Sequence, residues 1–174
     1  MAAMRTKPEL ISSGHKLLEA PVFDAKLGLI FTDAEVGGVW SLDGEGKLGL
    51  IVPHRRGIGG IAMHESGGLI VSGRNVALKP IPDGTTRVLL DNDPAKGRVG
   101  FNDLVTDRAG RIYVGSLTYV PMLGQQGSDR TGGLYLIELD GSVRQVASGI
   151  RLSNGLGFSP DGTRLYYADT DARC

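Results

Sequence analysis

The feature that most restricts this chain is that it repeats itself. Four segments share a turn, a glycine and a run rich in β-branched or aromatic residues: DAKLGLIFTD at 24–33, HESGGLIVSG at 64–73, DRAGRIYVGS at 107–116 and SPDGTRLYYAD at 159–169. Their last turn glycines, Gly28, Gly68, Gly110 and Gly162, stand 40, 42 and 52 residues apart. A period near 40 to 50 made of strands and glycine turns predicts propeller blades, because a four-stranded antiparallel sheet takes about 40 to 45 residues. The strands between the anchors recur in one order: GGVWSLD and KLGLIV, then NVALKPIP and TTRVLL, then GGLYLIEL and SVRQVAS. Asp-Gly and Gly-Glu-Gly turns join each pair, supplying the positive φ that tight hairpins need. With VFD, IAMH, DLVTD and GLGFS ahead of the anchors, the pattern predicts an all-β fold of three four-stranded blades and two strands of a fourth.

The expected unit is a single incomplete propeller domain over residues 1–174, with 1–13 an N-terminal extension lacking stable order. An arc of about three and a half blades leaves an open sheet edge, which invites pairing with another chain. The expectation is an interrupted reading frame ending mid-blade at Cys174, with assembly of partial rings as the alternative.

Composition narrows the partners. Glycine makes up 27 of 174 residues, about twice the ordinary share, which suits many tight turns. The 19 basic and 19 acidic side chains balance, which argues against nucleic acid or an anionic membrane as partner. No apolar run approaches the length of a membrane span, and Met1–Leu18 lacks the apolar core of a secretory signal, so a cytoplasmic protein is expected. The single cysteine, Cys174, cannot form an internal disulfide.

Counting back eight or nine residues from each turn glycine reaches Glu19, Gly59, Asn102 and Asn154, where the chain leads into the innermost strand of each blade. In a propeller these positions converge on the central channel, so two amides and one carboxylate would share a small volume. Oxygen donors of that kind favour calcium, magnesium or manganese, with zinc or ferrous iron possible. The competing reading is that Asn102 and Asn154 cap turns, as Asn-Asp and Asn-Gly often do.

LEAPVFD at 18–24, FNDLVTDRAGRIYVGSL at 101–117 and SNGLGFSPDGTRLYYADT at 153–170 resemble the SMP-30/gluconolactonase family, also called regucalcin-like, from about residue 14 onward. The resemblance implies a six-bladed β-propeller, here partial, with one divalent metal in its channel, hydrolysing sugar lactones. It implies Glu19 and Asn154 as metal ligands and Asn102 as the catalytic residue at the substrate and the attacking water. A third ligand, an aspartate that also takes the proton of that water, comes in the family from a later blade, so this chain is expected to be nearly inert alone. Where the family often carries a lactone-contacting arginine, Gly100 stands, and Arg98 is the nearest substrate-binding candidate. The first motif reads Glu-Ala-Pro in place of the commoner Glu-Gly-Pro.

Other patterns fail on context. GEGKLG at 44–49 spells a dinucleotide loop, but a strand follows where a helix is required. DNDPAKG at 91–97 starts like a calcium loop and lacks the glycine at its sixth position. His15, His54 and His64 show no zinc spacing and are expected on the surface. Trp40 is expected in packing, Asp103 is expected to turn away from Asn102 by strand alternation into a turn or inter-blade bond, and Asp169 and Asp171 are expected as solvated structural acids. Two other functions remain: a non-catalytic metal- or ligand-binding propeller, and a scaffold using its open edge, including for self-association.

Overall fold

The computed structural model of this chain describes residues 7–125 and 130–174. Three four-stranded antiparallel meanders and one two-stranded sheet follow in chain order. The first blade holds β1 (Leu18–Asp24), β2 (Gly28–Asp33), β3 (Val39–Leu42) and β4 (Leu48–Val52). The second holds β5 (Ile61–Met63), β6 (Leu69–Val71), β7 (Val76–Lys79) and β8 (Arg87–Leu90). The third holds β9 (Gly100–Thr106), β10 (Ile112–Leu117), β11 (Gly132–Ile137) and β12 (Val143–Ile150), and the fourth β13 (Ser153–Phe158) and β14 (Leu165–Asp169). The anchor glycines all take positive φ, between 74° and 98°. At Gly28 and Gly68 a Cβ would also run into the backbone of the facing strand at Leu42 and Lys79, so glycine is required there twice over.

Apolar residues cement blade to blade. Alternation sends Leu69 and Val71 of β6 into one core with Ile30, Val39, Ile58 and Ile61. Ile70, between them, enters a second core with Val76, Phe101, Leu104, Ile112 and Val114. Both faces of the second blade are therefore buried, which is why β6 reads as an unbroken apolar run. The arc's last described strand contrasts with it: Tyr166 and Tyr167 of β14 are 58% and 41% exposed.

Packing the blades side by side brings the innermost strands together, β1 against β5, β5 against β9, and β9 against β13. The expected extension, residues 1–13, lies partly outside the described residues. Over residues 7–13 no regular element forms, and Ser12 Oγ and His15 Nε2 are hydrogen-bonded at 2.7 Å. His15 meets Phe31 edge to face, Trp40 is half-buried with its Nε1 donating to Gly37 O, and Pro94–Lys96 is one 3₁₀ turn capped by Asp93. GEGKLG is the β3–β4 hairpin.

His64 corrects the expectation of surface histidines. It is 5% exposed and bridges two blades, its Nε2 2.7 Å from Gly110 O and its Nδ1 accepting from Ser66 N. The glycine turn beneath it leaves room for the ring, which spacing alone does not reveal. Among the described residues no helix is long and apolar enough to cross a membrane.

Candidate functional site

The candidate residues lie inside the innermost strands, each at an irregularity of pairing. Glu19 pairs with Thr32, and the register then slips across Ala20 and Pro21 before Val22 meets Ile30. Asn154 pairs with Ala168, and Gly155, at φ 74°, is the extra residue before Leu156 meets Tyr167. On β9 both Asn102 and Asp103 fall in the slip between Phe101, opposite Ser116, and Leu104, opposite Val114. Such bulges bend a strand and re-aim its side chains, and they are common beside functional sites.

The bulge on β9 changes the reading of Asp103. Strict alternation would turn it away from its neighbour, yet both residues reach β13. Asn102 Nδ2 donates to Ser153 O at 2.8 Å, and Asp103 Oδ2 accepts from Gly155 N at 2.7 Å and Leu156 N at 3.2 Å. Asp103 thus makes the expected inter-blade bond, on the strand segment that carries Asn154. Burial raises its carboxyl above the ordinary value, with the N–H groups of Leu104, Gly155 and Leu156 pulling the other way. The Glu19 carboxyl is also raised, by burial first and then by the charge of Asp103.

The second blade contributes an absence. A Cβ on Gly59 would collide with the Asn102 side chain, and one on Gly60 would lie 2.7 Å from Leu104 N. The fourth convergent position is left bare so that Asn102 can lie over it. Ser72 fixes this segment, its Oγ accepting from Gly60 N at 2.8 Å. Thr32 Oγ1 donates to Ile58 O at 2.9 Å, tying the same segment to the residue paired with Glu19.

Two aspartates that spacing did not single out as functional hold the donor-bearing strands from behind. Asp33 accepts from the N–H groups of Lys16, Leu17, Glu35 and Val36, just ahead of Glu19. Asp169 accepts from Arg151, Leu152 and Ala172, just ahead of Asn154. Burial pushes both carboxyls up, and these N–H donors outweigh it and hold them below the ordinary value. Asp169 is 3% exposed, so it is structural as expected but buried, not solvated. Asp171 accepts a 2.6 Å hydrogen bond from Tyr119 Oη, whose pKa is pushed up to about 12 by burial and then by that carboxylate.

Arg98 stands apart from these groups in its contacts. Its guanidinium lies 5.7 Å from the Phe101 ring centroid and 5.3 Å from that of Tyr135, and Nη2 donates to Asp91 O.

The donor set suits a hard divalent cation. Neither the Glu19 carboxylate nor the Asn154 amide has a hydrogen bond or ion pair with another described residue, and the amide nitrogen of Asn102 is spent on Ser153 O, leaving Oδ1 as acceptor. Partly buried oxygens of this kind, with a second carboxylate close by, gain from a cation. Among the described residues no three His, Cys, Asp or Glu side chains form a cluster able to hold a metal.

A family model described as the SMP-30/gluconolactonase/LRE-like region matches residues 17–174. A pentonolactonase of Haloferax volcanii is 28% identical over 97% of this chain and 55% of its own length. Regucalcin of Xenopus laevis is 29% identical, over 92% of this chain and 54% of its own. Among solved structures, a gluconolactonase of Xanthomonas campestris superposes with a TM-score of 0.76 at 21% identity, over 92% of this chain and 57% of that one. The chain spans about half the length of the curated relatives it matches.

Proposed function

The chain belongs to the SMP-30/gluconolactonase/LRE-like family, and from that premise we propose that it forms the metal- and lactone-binding blades of a divalent-metal-dependent sugar lactone hydrolase. The observation that carries the proposal is that Glu19 and Asn154, neither with a partner among the described residues, stand on the innermost strands at the two ends of the series β1, β5, β9 and β13, with Asn102 and Asp103 on β9 between them. Relatives named as lactonases support the reaction, and a solved structure titled as calcium-binding regucalcin supports a divalent ion.

Glu19 and Asn154 would hold calcium, zinc, manganese, magnesium or ferrous iron, which when bound polarises a lactone carbonyl and acidifies water. The chain's own residues do the positioning. Asn102, fixed through Nδ2 by Ser153 O, presents Oδ1 to a substrate hydroxyl or to the water. Asp103 holds the bulge that aims Asn154. Arg98 is committed to Asp91, Phe101 and Tyr135, which leaves the lactone to Asn102.

With a carboxylate fewer than the resemblance implies, turnover by the 174 residues should fall below that of a longer relative by the ~10²- to 10⁴-fold typical of a general base. A cytoplasmic setting belongs to the same proposal.

The test is hydrolysis of D-glucono-1,5-lactone followed by proton release, with and without each ion, on this chain and a longer relative. Hydrolysis above the spontaneous rate that requires the ion, and is lost in E19Q, supports the reading. Ion-independent hydrolysis, or none in either protein, contradicts it.

A further inference from the structure

The segment that crosses from the first blade to the second carries an arginine with unusual company. Arg55 Nη2 donates to Ser72 O at 3.3 Å, Asn75 O at 2.8 Å and Asn75 Oδ1 at 2.6 Å. All three acceptors are neutral, and among the described residues no carboxylate pairs with this guanidinium. Burial pulls its pKa down from the ordinary value. Half-buried cations are ordinarily paired with an anion. This one spans the turn Ser72–Asn75 and leaves it positive.

Arg74 lies within the same turn. It is exposed, and its side chain makes no hydrogen bond or ion pair with another described residue. The turn is pinned to β9 by a two-way bridge, Phe101 N to Gly73 O at 2.7 Å and Gly73 N to Phe101 O at 3.2 Å. That bridge sets Arg74 across from Gly100, two residues before Asn102: a Cβ on Gly100 would lie 3.0 Å from Gly73 O and 3.9 Å from Arg74 Cα. A larger residue at 100 is crowded by that contact, while Arg74 of the neighbouring blade stands beside it. Two residues of strand measure roughly 7 Å, within the reach of an arginine side chain.

We propose that the Ser72–Asn75 turn is an anion subsite on the rim of the channel, with Arg74 as the contact residue and Arg55 holding the turn as a positioning residue. It takes a carboxylate, phosphate or sulfonate at the far end of a sugar lactone whose ring lies at Asn102. The inference deepens the lactone-hydrolase reading and rests on it for the identity of the ring. The planar guanidinium of Arg74 suits such a group, since it can bind two oxygens side by side.

Two probes separate this inference from the reading beneath it. Inorganic phosphate is titrated against the labelled 174-residue chain while the Nε–Hε signals of its arginines are followed. D-glucono-1,4-lactone and D-glucaro-1,4-lactone, identical but for a terminal carboxylate, are then compared by calorimetry in the presence of manganese. Phosphate should shift the Arg74 signal, and the acidic lactone should bind about tenfold more tightly at low salt. R74A should bring the acidic lactone to the affinity of the neutral one, and R74K should restore part of the preference. R55K, with its circular dichroism unchanged, should weaken the acidic lactone severalfold.

Equal binding of the two lactones, or a preference that survives in R74A, overturns the subsite as a lactone determinant. A silent Arg74 signal in phosphate overturns it as an anion site. Phosphate binding at Arg74 with neither lactone bound supports the anion site and defeats the lactone reading instead.

Discussion

Glu19 and Asp103 lie on innermost strands, while Asp33 and Asp169 end the second strands of the first and fourth blades, only one ladder step from Glu19 and Asn154. The neighbouring acids are treated in opposite ways. Asp33 and Asp169 are wrapped by four and three backbone N–H groups and sit below the ordinary carboxyl range. Among the described residues Glu19 has no hydrogen-bond donor and Asp103 does not have enough to offset burial, so both sit above it. The first kind stabilises the blade; the second kind is costly until something positive arrives. The difference separates acids that build the scaffold from the acid proposed here as a cation ligand.

The largest effect expected from breaking that contrast is at the wrapped acids. D33A removes a buried carboxylate that accepts from four N–H groups on two exposed segments and should cost about 3 kcal/mol in urea unfolding, with D169A close behind. Next comes the bare position of the second blade. G59A forces Asn102 aside, should lose about 1–3 kcal/mol, and should weaken ion binding even at temperatures where the fold is intact. E19Q works in the opposite direction. Removing a half-buried charge beside Asp103 should leave stability unchanged or raise it by up to about 1 kcal/mol at neutral pH, while ion-dependent stabilisation disappears.

The pH profile carries the same opposition. Glu19 and Asp103, with folded pKa values above their unfolded ones, favour the folded state at low pH, and that contribution is lost as pH rises through the folded values. Asp33 and Asp169, with folded values below 3.8, stabilise at higher pH and lose that contribution as pH falls through their folded values. Urea midpoints measured without metal should rise as pH falls from neutral toward about 4.5 and drop below about 3.8. E19Q should flatten the rise and leave the drop.

The smallest effect is at Ala20, held at φ 49° in the first bulge. A20G should stabilise by roughly 0.5–1 kcal/mol, since only glycine adopts that region freely.

The blades were legible because glycine turns and β-branched runs recur with a fixed order, and the same counting placed the candidates Glu19, Asn102 and Asn154 on innermost strands. The bulges were harder. Pro21 and Gly155 inside strands are the signals that mark two of them, whereas the slip on β9 has no such marker, so alternation misdirected Asp103. The wrapping of Asp33 and Asp169 and the burial of His64 depend on where loops fold back, which period and composition do not encode. Arg74 was invisible for the same reason, being brought beside Gly100 by a bridge between blades.

The most direct test of the central claim, that Glu19, Asn102 and Asn154 form one cation site, is paramagnetic broadening by manganese on the nitrogen-labelled chain. Substoichiometric manganese should broaden the side-chain amide signals of Asn102 and Asn154 before those of other asparagines, and E19Q should abolish the selectivity. Uniform broadening, or the same selectivity in E19Q, would contradict it.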